Sequence, residues 1–258
     1  MARVQLSNRV RVSGYYRMAL VTLRPLLVTF TRQEWRGAEN LRVDGSLDPG
    51  IVVAANHISW ADPFVLAHFL YDNGRLPRFL AKESLFTVPF IKNVMKGAQQ
   101  IPVHRGSSDA ARALESAVES ARDGECVLIY PEGTVTRAPD MWPMAGKTGA
   151  VRTALSSGAA LIPVAQWGAH ELMRPYTAEL RLLPRKTMHV WAGPPIDLDD
   201  LRGRPLDQAI LDEATDRLMS AITAMLEQIR GEIAPTERYI NTRPAGEHPK
   251  LARPRKAG

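Results

Sequence analysis

The strongest constraint on the fold of this chain comes from short, almost wholly apolar runs that are separated by longer segments of mixed polarity. Residues 51–55, 126–130 and 160–165 form such runs. Each has the length of a strand that is buried on both faces, and each is too short for a typical helix. Further strands are predicted at 78–82, 101–103 and 188–192, with an edge strand and turn at 39–45.

Helices are predicted between these strands. The pattern indicates helices at 64–70, 83–96 (broken by Pro89), 107–122 (capped by Ser107 or Ser108), 147–157 and 205–230. Residues 131–146 are rich in Pro and Gly and are predicted to form a loop. Because strands alternate with helices and no repeat is visible, the chain is expected to be a single α/β domain with a mixed, partly parallel sheet flanked by helices.

Charge is concentrated at the two ends of the chain. The 258 residues carry a net charge of +6, with seven Arg and one Glu in residues 1–36 and five Lys or Arg and one Glu in residues 242–258. The middle of the chain is therefore mildly acidic. Basic ends suit an anionic membrane or a nucleic acid. The basic tail has no aromatic residue for stacking on bases, so an anionic membrane is the expected partner and nucleic acid is not.

Residues 1–36 are predicted to be a basic amphipathic helical segment. Arg17 and Arg24 are seven positions apart and share a helix face, and Pro25 should kink or split the helix. The charge-free stretches are far below the roughly 20 apolar residues that span a bilayer, and no signal-peptide cleavage site follows. Two interpretations stay open for this segment: a helix pair that lies on an anionic bilayer, and an ordinary helix packed on the domain. Residues 37–233 are then the main domain, and residues 234–258 a basic, Pro-rich tail.

Cysteine and histidine usage argues against disulfide and metal sites. The single cysteine, Cys126, lies inside a predicted core strand, which excludes an intramolecular disulfide and fits a reducing compartment. The six histidines are scattered, without the spacing of a zinc site. Neither a metal nor a cofactor is therefore expected.

His57 and Asp62 follow the apolar run at 51–55. The Asp62-Pro63 pair is typical of a helix start. A histidine just after a strand can fold back onto a carboxylate at such a turn, which fixes its tautomer and leaves the other ring nitrogen free to accept a proton. The alternative interpretation is that Asp62 only caps the helix and that His57 is an ordinary loop residue.

Three other strand ends carry polar residues. His104 and Arg105 follow the strand at 101–103, Pro131-Glu-Gly-Thr134 follows the strand at 126–130, and Lys147 precedes the helix before the strand at 160–165. Ligand sites in open α/β sheets gather at strand ends. Gly133 permits a tight turn that would push Glu132 into a pocket, where it could hold hydroxyls. Arg105, next to a general base, is a candidate phosphate ligand.

With four blocks in this order, the sequence resembles the glycerolipid acyltransferases of the 1-acylglycerol-3-phosphate acyltransferase type. The blocks are Asn56-His-Ile-Ser-Trp-Ala-Asp62, Gly97-Ala-Gln-Gln-Ile-Pro-Val-His-Arg105, Tyr130-Pro-Glu-Gly-Thr-Val-Thr-Arg137 and Ile162-Pro-Val164. The third block departs from the family pattern, since Val135 and Thr136 stand between Thr134 and Arg137. Tyr130 replaces the usual Phe.

The resemblance implies site roles and a reaction. It makes His57 the general base and Asp62 its orienting partner. Acyl transfer from acyl-CoA or acyl carrier protein to 1-acylglycerol 3-phosphate would give phosphatidic acid by direct attack, at the cytoplasmic face of the cell membrane, where the protein would be peripheral or monotopic. Residues implied in substrate binding, with Lys147 or Arg105 expected to take the phosphate if Arg137 is displaced, are Arg105, Glu132, Gly133, Thr134, Arg137 and Lys147.

Two alternatives remain: one concerns the identity of the acceptor, and the other whether the protein is catalytically active. The acceptor could instead be glycerol 3-phosphate, another lysophospholipid or a glycolipid hydroxyl. A catalytically silent membrane-binding relative is the remaining alternative, although such a protein would have no chemical need for His57, Asp62, Arg105 and Glu132 together.

Overall fold

A seven-stranded mixed sheet forms the centre of the molecule. The computed structural model describes residues 14–88, 91–103, 109–177 and 179–242. The strands of the sheet are β1 (Thr31–Arg36), β2 (Ile51–Ala55), β3 (Pro77–Lys82), β4 (Ile101–Val103), β5 (Cys126–Ile129), β6 (Ala160–Trp167) and β7 (Lys186–Ala192). They run in the order β1-β7-β6-β2-β5-β3-β4, and every pairing is parallel except that of β6 with β7. The predicted partly parallel sheet is confirmed.

The strand directions bring several chain segments to one edge of the sheet. The parallel strands β2, β5 and β6 end at what we call the carboxyl edge. Because β7 runs against β6, both β7 and its parallel neighbour β1 begin at this edge. The residues that follow β2 and β5, which include His57 and Glu132, therefore lie side by side there.

Helices cover the sheet. They are α1 (Gly14–Phe30), α2 (Asp62–Asp72), α3 (Ile91–Gly97), α4 (Asp109–Arg122), α5 (Gly149–Ser157), α6 (Ala169–Leu172) and α7 (Gln208–Arg230), with 3₁₀ turns at Ala38–Leu41 and Glu83–Phe86. The helices predicted at 64–70, 107–122, 147–157 and 205–230 are confirmed with shifted ends, whereas the segment predicted as a broken helix at 83–96 contains a 3₁₀ turn at 83–86 and α3 from residue 91. Helix α7, for example, begins after Asp207, whose side chain caps it by accepting from the Ile210 N–H at 2.9 Å. The proposed caps Ser107 and Ser108, and Pro89, lie outside the described residues.

The apolar run of β2 is buried on both faces of the sheet. Val52 and Ala54 belong to the core on the side of α4, α5 and α7, whereas Ile51, Val53 and Ala55 belong to the core on the side of α2. All five are fully buried. Successive strand side chains point to opposite faces, so a strand covered on both sides needs an unbroken apolar sequence. The turn that follows β2 is thereby attached to a strand that is completely buried.

The predicted edge strand at 39–45 is wrong. Residues 38–41 form a 3₁₀ turn, and β1 (Thr31–Arg36) is the edge strand instead. The sequence Thr-Arg-Gln-Glu-Trp-Arg has little apolar alternation because an edge strand is solvated along one side, where charges also prevent edge-to-edge association. Gly37 ends β1 with a φ of 71°, and a Cβ there would lie 1.9 Å from the Ala192 carbonyl oxygen. Only glycine permits this turn.

Of the two interpretations of the N-terminal segment, the helix pair is wrong, and the helical segment predicted to reach residue 36 ends at Phe30, where β1 follows. Residues 14–30 form one helix, α1, with Pro25 inside it. Pro25 and Val21, whose carbonyl would face the missing N–H, are both exposed, so water can satisfy that carbonyl. Arg24 points inward and binds the Asp72 carboxylate through Nε at 2.7 Å and Nη2 at 2.9 Å. It is therefore not a free surface cation beside Arg17. Among the described residues, no helix is both long enough and apolar enough to cross a membrane.

Part of the predicted tail packs on the domain. Residues 231–242, the C-terminal strap, follow α7 and return over it, since Arg238 Nη2 donates to Ser220 Oγ at 2.7 Å. The Tyr239 carbonyl accepts the Ala145 N–H at 2.9 Å. The strap therefore reaches the loop that follows β5. The rest of the predicted tail, residues 243–258, lies outside the described residues.

Candidate active site

The carboxylate of Asp62 organises the turn that follows β2. One oxygen, Oδ2, accepts hydrogen bonds from the Ile58 N–H at 2.6 Å and the Ser59 N–H at 2.8 Å. The same oxygen lies 2.7 Å from His57 Nδ1. Asp62 also begins α2, with Pro63 in the first turn. The two sequence interpretations of Asp62, helix start and histidine partner, are thus both realised, and the predicted pairing with His57 is confirmed in the geometry.

Burial sets the electrostatics of this pair. Asp62 is completely buried, which raises the pKa of its carboxyl, while the hydrogen bonds from His57, Ser59 and Ile58 act in the opposite direction. Nδ1 of His57 is directed to the carboxylate, so Nε2 is the ring nitrogen left to exchange a proton with a substrate. The His57 side chain is 14% exposed. The buried Asp62 carboxylate thus orients the imidazole, and the imidazole itself is partly exposed to solvent.

The imidazole is also held by ring stacking. The rings of His57 and Tyr130 lie 4.0 Å apart at an interplanar angle of 17°. Tyr130 follows β5 directly and precedes the Pro-Glu-Gly-Thr block. The neighbouring strand therefore supplies one wall of the site.

Glu132 lies inside the protein, where both of its oxygens are used. Oε1 accepts the His57 N–H at 2.9 Å, and Oε2 accepts the Met144 N–H at 3.0 Å. The residue is 2% exposed, and burial raises the pKa of its carboxyl to about 8. This geometry favours a role in positioning the His57 backbone over the predicted role of holding a substrate hydroxyl.

The loop after β5 holds His57 from both sides of its peptide unit. Glu132 accepts the His57 N–H, and the Thr136 N–H donates to the His57 carbonyl at 2.6 Å. Tyr176 reinforces the loop, because its hydroxyl donates to the Val135 carbonyl at 2.5 Å. The sequence reasoning missed Thr136 and Tyr176 because neither stands in a pattern that predicts contact with His57.

Gly133 and Lys147, which are both predicted to bind substrate, lie close together in the structure. Gly133 has a φ of +70°, and a Cβ there would lie 3.1 Å from Lys147 Nζ. The Lys147 N–H donates to the Pro131 carbonyl at 2.8 Å, and its side chain is exposed. A solvent-accessible ammonium group thus lies over the turn after β5. Thr134 is half-buried in the same turn.

Arg137 is engaged by the C-terminal strap. Its Nη1 donates to Asn241 Oδ1 at 3.0 Å. The two residues between Thr134 and Arg137 are Val135 and Thr136, both buried. Arg137, which these two residues separate from Thr134, thus contacts the strap with its guanidinium. Arg105 and His104, which complete the second block, lie outside the described residues.

Hydrogen bonds between Asn56, which follows β2, and Gln166 in β6 were not predicted from the sequence. Asn56 Nδ2 donates to the Gln166 carbonyl at 3.0 Å, and the Gln166 N–H donates to Asn56 Oδ1 at 2.8 Å. Both side chains are buried. Gln166, a polar residue directly after the apolar run at 160–165, was the available signal, because a buried amide requires a partner.

Metal ligands do not gather in this site. Across the described ranges, no group of three or more His, Cys, Asp or Glu residues could hold a metal ion. The site consists of a buried carboxylate, an imidazole and an exposed ammonium group, at the carboxyl edge of an open α/β sheet. A histidine oriented by a carboxylate can accept a proton, and an exposed ammonium group can bind an anion.

Comparison with known proteins identifies the family. A family model described as Acyltransferase matches residues 32–167, more than half of the 258-residue chain. The chain therefore belongs to the Acyltransferase family. The likeness to the lysophosphatidate acyltransferase type, inferred from the four blocks, is confirmed.

Two curated relatives and one solved structure are similar to this chain. The 1-acyl-sn-glycerol-3-phosphate acyltransferase of Borreliella burgdorferi is 33% identical over 129 residues, which are 50% of this chain and 48% of that protein. The lyso-ornithine lipid O-acyltransferase of Pseudomonas aeruginosa is 32% identical over 113 residues, 43% of this chain and 40% of that protein. The chain thus spans less than half the length of either relative.

The fold is that of a solved acyltransferase. The crystal structure of the 1-acyl-sn-glycerophosphate acyltransferase PlsC from Thermotoga maritima aligns with a TM-score of 0.62 at 20% identity, covering 85% of this chain and 83% of that chain. At this level of identity the match supports the fold alone.

Proposed function

We propose that this protein is an O-acyltransferase that moves a fatty acyl group from an acyl thioester to the free hydroxyl of 1-acylglycerol 3-phosphate, giving phosphatidic acid. The observation that carries the proposal is the His57–Asp62 contact of 2.7 Å, in a chain of the Acyltransferase family. The name of the Borreliella relative supports the choice of acceptor.

The proposed mechanism is direct attack. Nε2 of His57 takes the proton of the acceptor hydroxyl, and the oxygen attacks the carbonyl carbon of the thioester. The carbon–sulfur bond then breaks, and the departing thiolate takes the proton back from the imidazolium. Asp62 stabilises that imidazolium while the charge exists.

Ser59, in the turn after β2, and Cys126, in β5, are both poorly placed to act as the nucleophile that would form an acyl-enzyme. The Ser59 hydroxyl donates to the Met173 carbonyl at 2.6 Å and accepts from the Ala61 N–H at 3.0 Å. Cys126 begins β5 at the edge opposite His57, and burial raises the pKa of its thiol to about 12. These contacts support a ternary complex rather than a covalent intermediate.

The acceptor phosphate is proposed to bind Lys147, with Arg105 as the second cation that the family resemblance implies. A charged amine at the turn after β5 can pair with a phosphate while the hydroxyl is presented to His57. The donor is proposed to be acyl-CoA or acyl carrier protein. Neither a metal nor a cofactor is invoked, since the thioester is already activated.

A second acceptor class is favoured by one observation. Arg137 donates to Asn241, so the cation that would complete a phosphate site is engaged elsewhere. The Pseudomonas relative is named for a lyso-ornithine lipid acceptor. The second candidate is therefore the same reaction on a lyso-lipid with a different head group.

The test measures thiol release from palmitoyl-CoA by the purified protein. The acceptors are 1-acylglycerol 3-phosphate, glycerol 3-phosphate, lyso-ornithine lipid and none, and palmitoyl acyl carrier protein serves as a second donor. Release that requires 1-acylglycerol 3-phosphate supports the proposal. Release that requires one of the other acceptors replaces the proposed substrate, and no release from either donor overturns acyl transfer.

The protein is further proposed to act on the anionic cytoplasmic face of the cell membrane. Large apolar side chains are exposed on α1, including Val21 at 68% and Leu26 at 53%, and beside the site, where Trp60 is 41% and Phe64 45% exposed. A lipid substrate must leave its bilayer near His57. Exposed apolar side chains near the turn would lower the cost of that contact.

The membrane proposal predicts weaker vesicle binding when α1 loses exposed apolar area. The double variant Val21→Ser, Leu26→Ser should bind phosphatidylglycerol-containing vesicles about ten- to a hundredfold more weakly, because each side chain is partly rather than fully exposed and would gain only about half of the roughly 1.5–3 kcal/mol of full burial. The matched control is Ile233→Ser in the C-terminal strap, where the residue is 90% exposed. Equal sedimentation of the double variant, the control and the unchanged protein with vesicles would contradict the proposal.

A further inference from the structure

Arg230, the last residue of α7, holds its guanidinium between two tryptophan rings. The guanidinium carbon lies 3.9 Å from the ring centroid of Trp142 and 4.4 Å from that of Trp167. Nη1 donates to the Asp140 carbonyl at 3.0 Å, and Nη2 pairs with Glu232, leaving 8% of the side chain exposed. A planar cation that is stacked and hydrogen-bonded has a fixed orientation as well as a fixed charge. Arg230 thus links three segments of the chain.

The stack carries a single positive charge at neutral pH. The His170 ring lies 4.3 Å from that of Trp167. Burial and the nearby charge of Arg230 lower the pKa of His170 to about 4. His170 is therefore neutral, and it does not repel the guanidinium from the rings.

Trp142, one of the two stacked tryptophans, is connected to the His57 backbone through two sets of hydrogen bonds. The Thr136 hydroxyl donates to the Trp142 carbonyl at 3.1 Å, and the Thr136 N–H donates to the His57 carbonyl at 2.6 Å. Two residues after Trp142, the Met144 N–H donates to Glu132 Oε2 at 3.0 Å, and Glu132 Oε1 accepts the His57 N–H at 2.9 Å. The position of Trp142 is thereby coupled to both polar groups of the His57 backbone.

The other stacked ring belongs to the sheet. Trp167 is the last residue of β6, which pairs with β2 up to Ala55, two residues before His57. Arg230 therefore fixes the loop of residues 131–147 relative to the strands that carry the general base. Without the stack, this loop would lose its contact with the end of β6, and the hydrogen bonds to the His57 peptide unit would have to hold it with less support.

We infer that Arg230 is a positioning residue for His57, which acts through Trp142 and Glu132 and touches no substrate. The inference rests on the proposed acyl transfer. A misplacement of about 1 Å can lower a rate by as much as about 10²-fold. Loss of Arg230 should therefore lower kcat by about tenfold or more and leave the KM of donor and acceptor within about twofold.

The test compares Arg230→Met, which keeps the aliphatic stem, with Arg230→Lys, which keeps the charge but loses the planar group. The matched control is Arg217→Met on the same helix, because Arg217 pairs with Asp200 and Glu213 on the surface. Rates are divided by the folded fraction from circular dichroism. Hydrogen exchange of the Met144 and His57 amides is measured alongside that of Val53. Arg230→Lys should lie between Arg230→Met and the unchanged protein in both kcat and amide exchange.

Each outcome decides the inference. Lowered kcat, unchanged KM and faster exchange at Met144 and His57, but not at Val53, support it. A kcat per folded molecule equal to that of Arg217→Met overturns it, as does exchange that rises uniformly. If Arg230→Met does not fold, Arg230→Lys carries the same comparison. If the unchanged protein transfers no acyl group, the proposed function fails, and amide exchange alone decides whether Arg230 positions His57.

Discussion

The turn that carries His57 and the loop that faces it are built over very different sequence distances. His57, Ile58, Ser59 and Asp62 are at most five positions apart, and their hydrogen bonds close on one carboxylate oxygen. In the facing loop, by contrast, Arg137 is bound by a residue 104 positions away, and Asp140 by one 90 positions away. The hydrogen bonds within the turn therefore need only β2 and α2, whereas the loop, which binds the His57 peptide unit, depends on the end of α7 and on the strap. We expect changes in the turn to remove the chemistry, and changes in the loop to alter substrate preference, stability and rate.

The largest effect should come from the turn itself. His57→Ala should lower acyl transfer by at least about 10²-fold, the usual scale for a general base, because no other group lies at the position of Nε2 within the described site. Thiol release reports the rate, and far-UV circular dichroism reports the fold. The control is His189→Ala on β7, where the imidazole pairs with Glu34. A folded His57→Ala protein with near-unchanged turnover would refute the mechanism.

An intermediate effect on stability is expected at the junction of the two regions. Burial raises the pKa of Glu132 from 4.5 to about 8, so the folded chain retains a proton that the unfolded chain releases between these values. The stability from this group is full below pH 4.5 and is lost as the pH rises through 8. In Glu132→Gln, the amide NH₂ would oppose an N–H donor, at a cost of about 1–3 kcal/mol, but this source of pH dependence disappears.

Urea unfolding at pH 5 and pH 8.5 checks this expectation. Glu132→Gln should be less stable than the unchanged protein at pH 5 and should lose less stability between the two pH values. Glu115→Gln, at an exposed position of α4, is the matched control. Equal pH dependence in Glu132→Gln and the unchanged protein would mean that Glu132 is ionised throughout.

The smallest effects should separate two cations of the loop. Lys147→Ala should raise the KM for 1-acylglycerol 3-phosphate by about tenfold, because a hydrogen bond to a charged group contributes about 1.5–3 kcal/mol. Arg137→Ala should change the same KM by less than about threefold, since Asn241 already engages the guanidinium. Initial-rate kinetics on both variants measure the difference. The reverse ranking would show that Arg137 leaves Asn241 when the acceptor binds.

The same comparison explains how far the sequence alone reaches. The buried run of β2, the start of α2 at Asp62 and the pairing of Asp62 with His57 were predictable, because apolar periodicity and a local carboxylate act over a few residues. The edge strand β1 was not, since a solvated strand can be as polar as Thr-Arg-Gln-Glu-Trp-Arg. The inward orientation of Glu132 and the contact of Arg137 with Asn241 depend on packing between distant segments, which periodicity does not report.

The two peptide contacts of His57 have a consequence for synthesis on the ribosome. His57 leaves the ribosome early, but the loop that fixes its N–H and carbonyl is itself fastened by Arg230, Tyr239 and Asn241. A nascent chain that stops short of these residues contains His57, Asp62 and the loop, but it lacks the contacts that fasten the loop to α7 and to the strap. We therefore expect the loop to reach its final position only after α7 and the strap have left the ribosome.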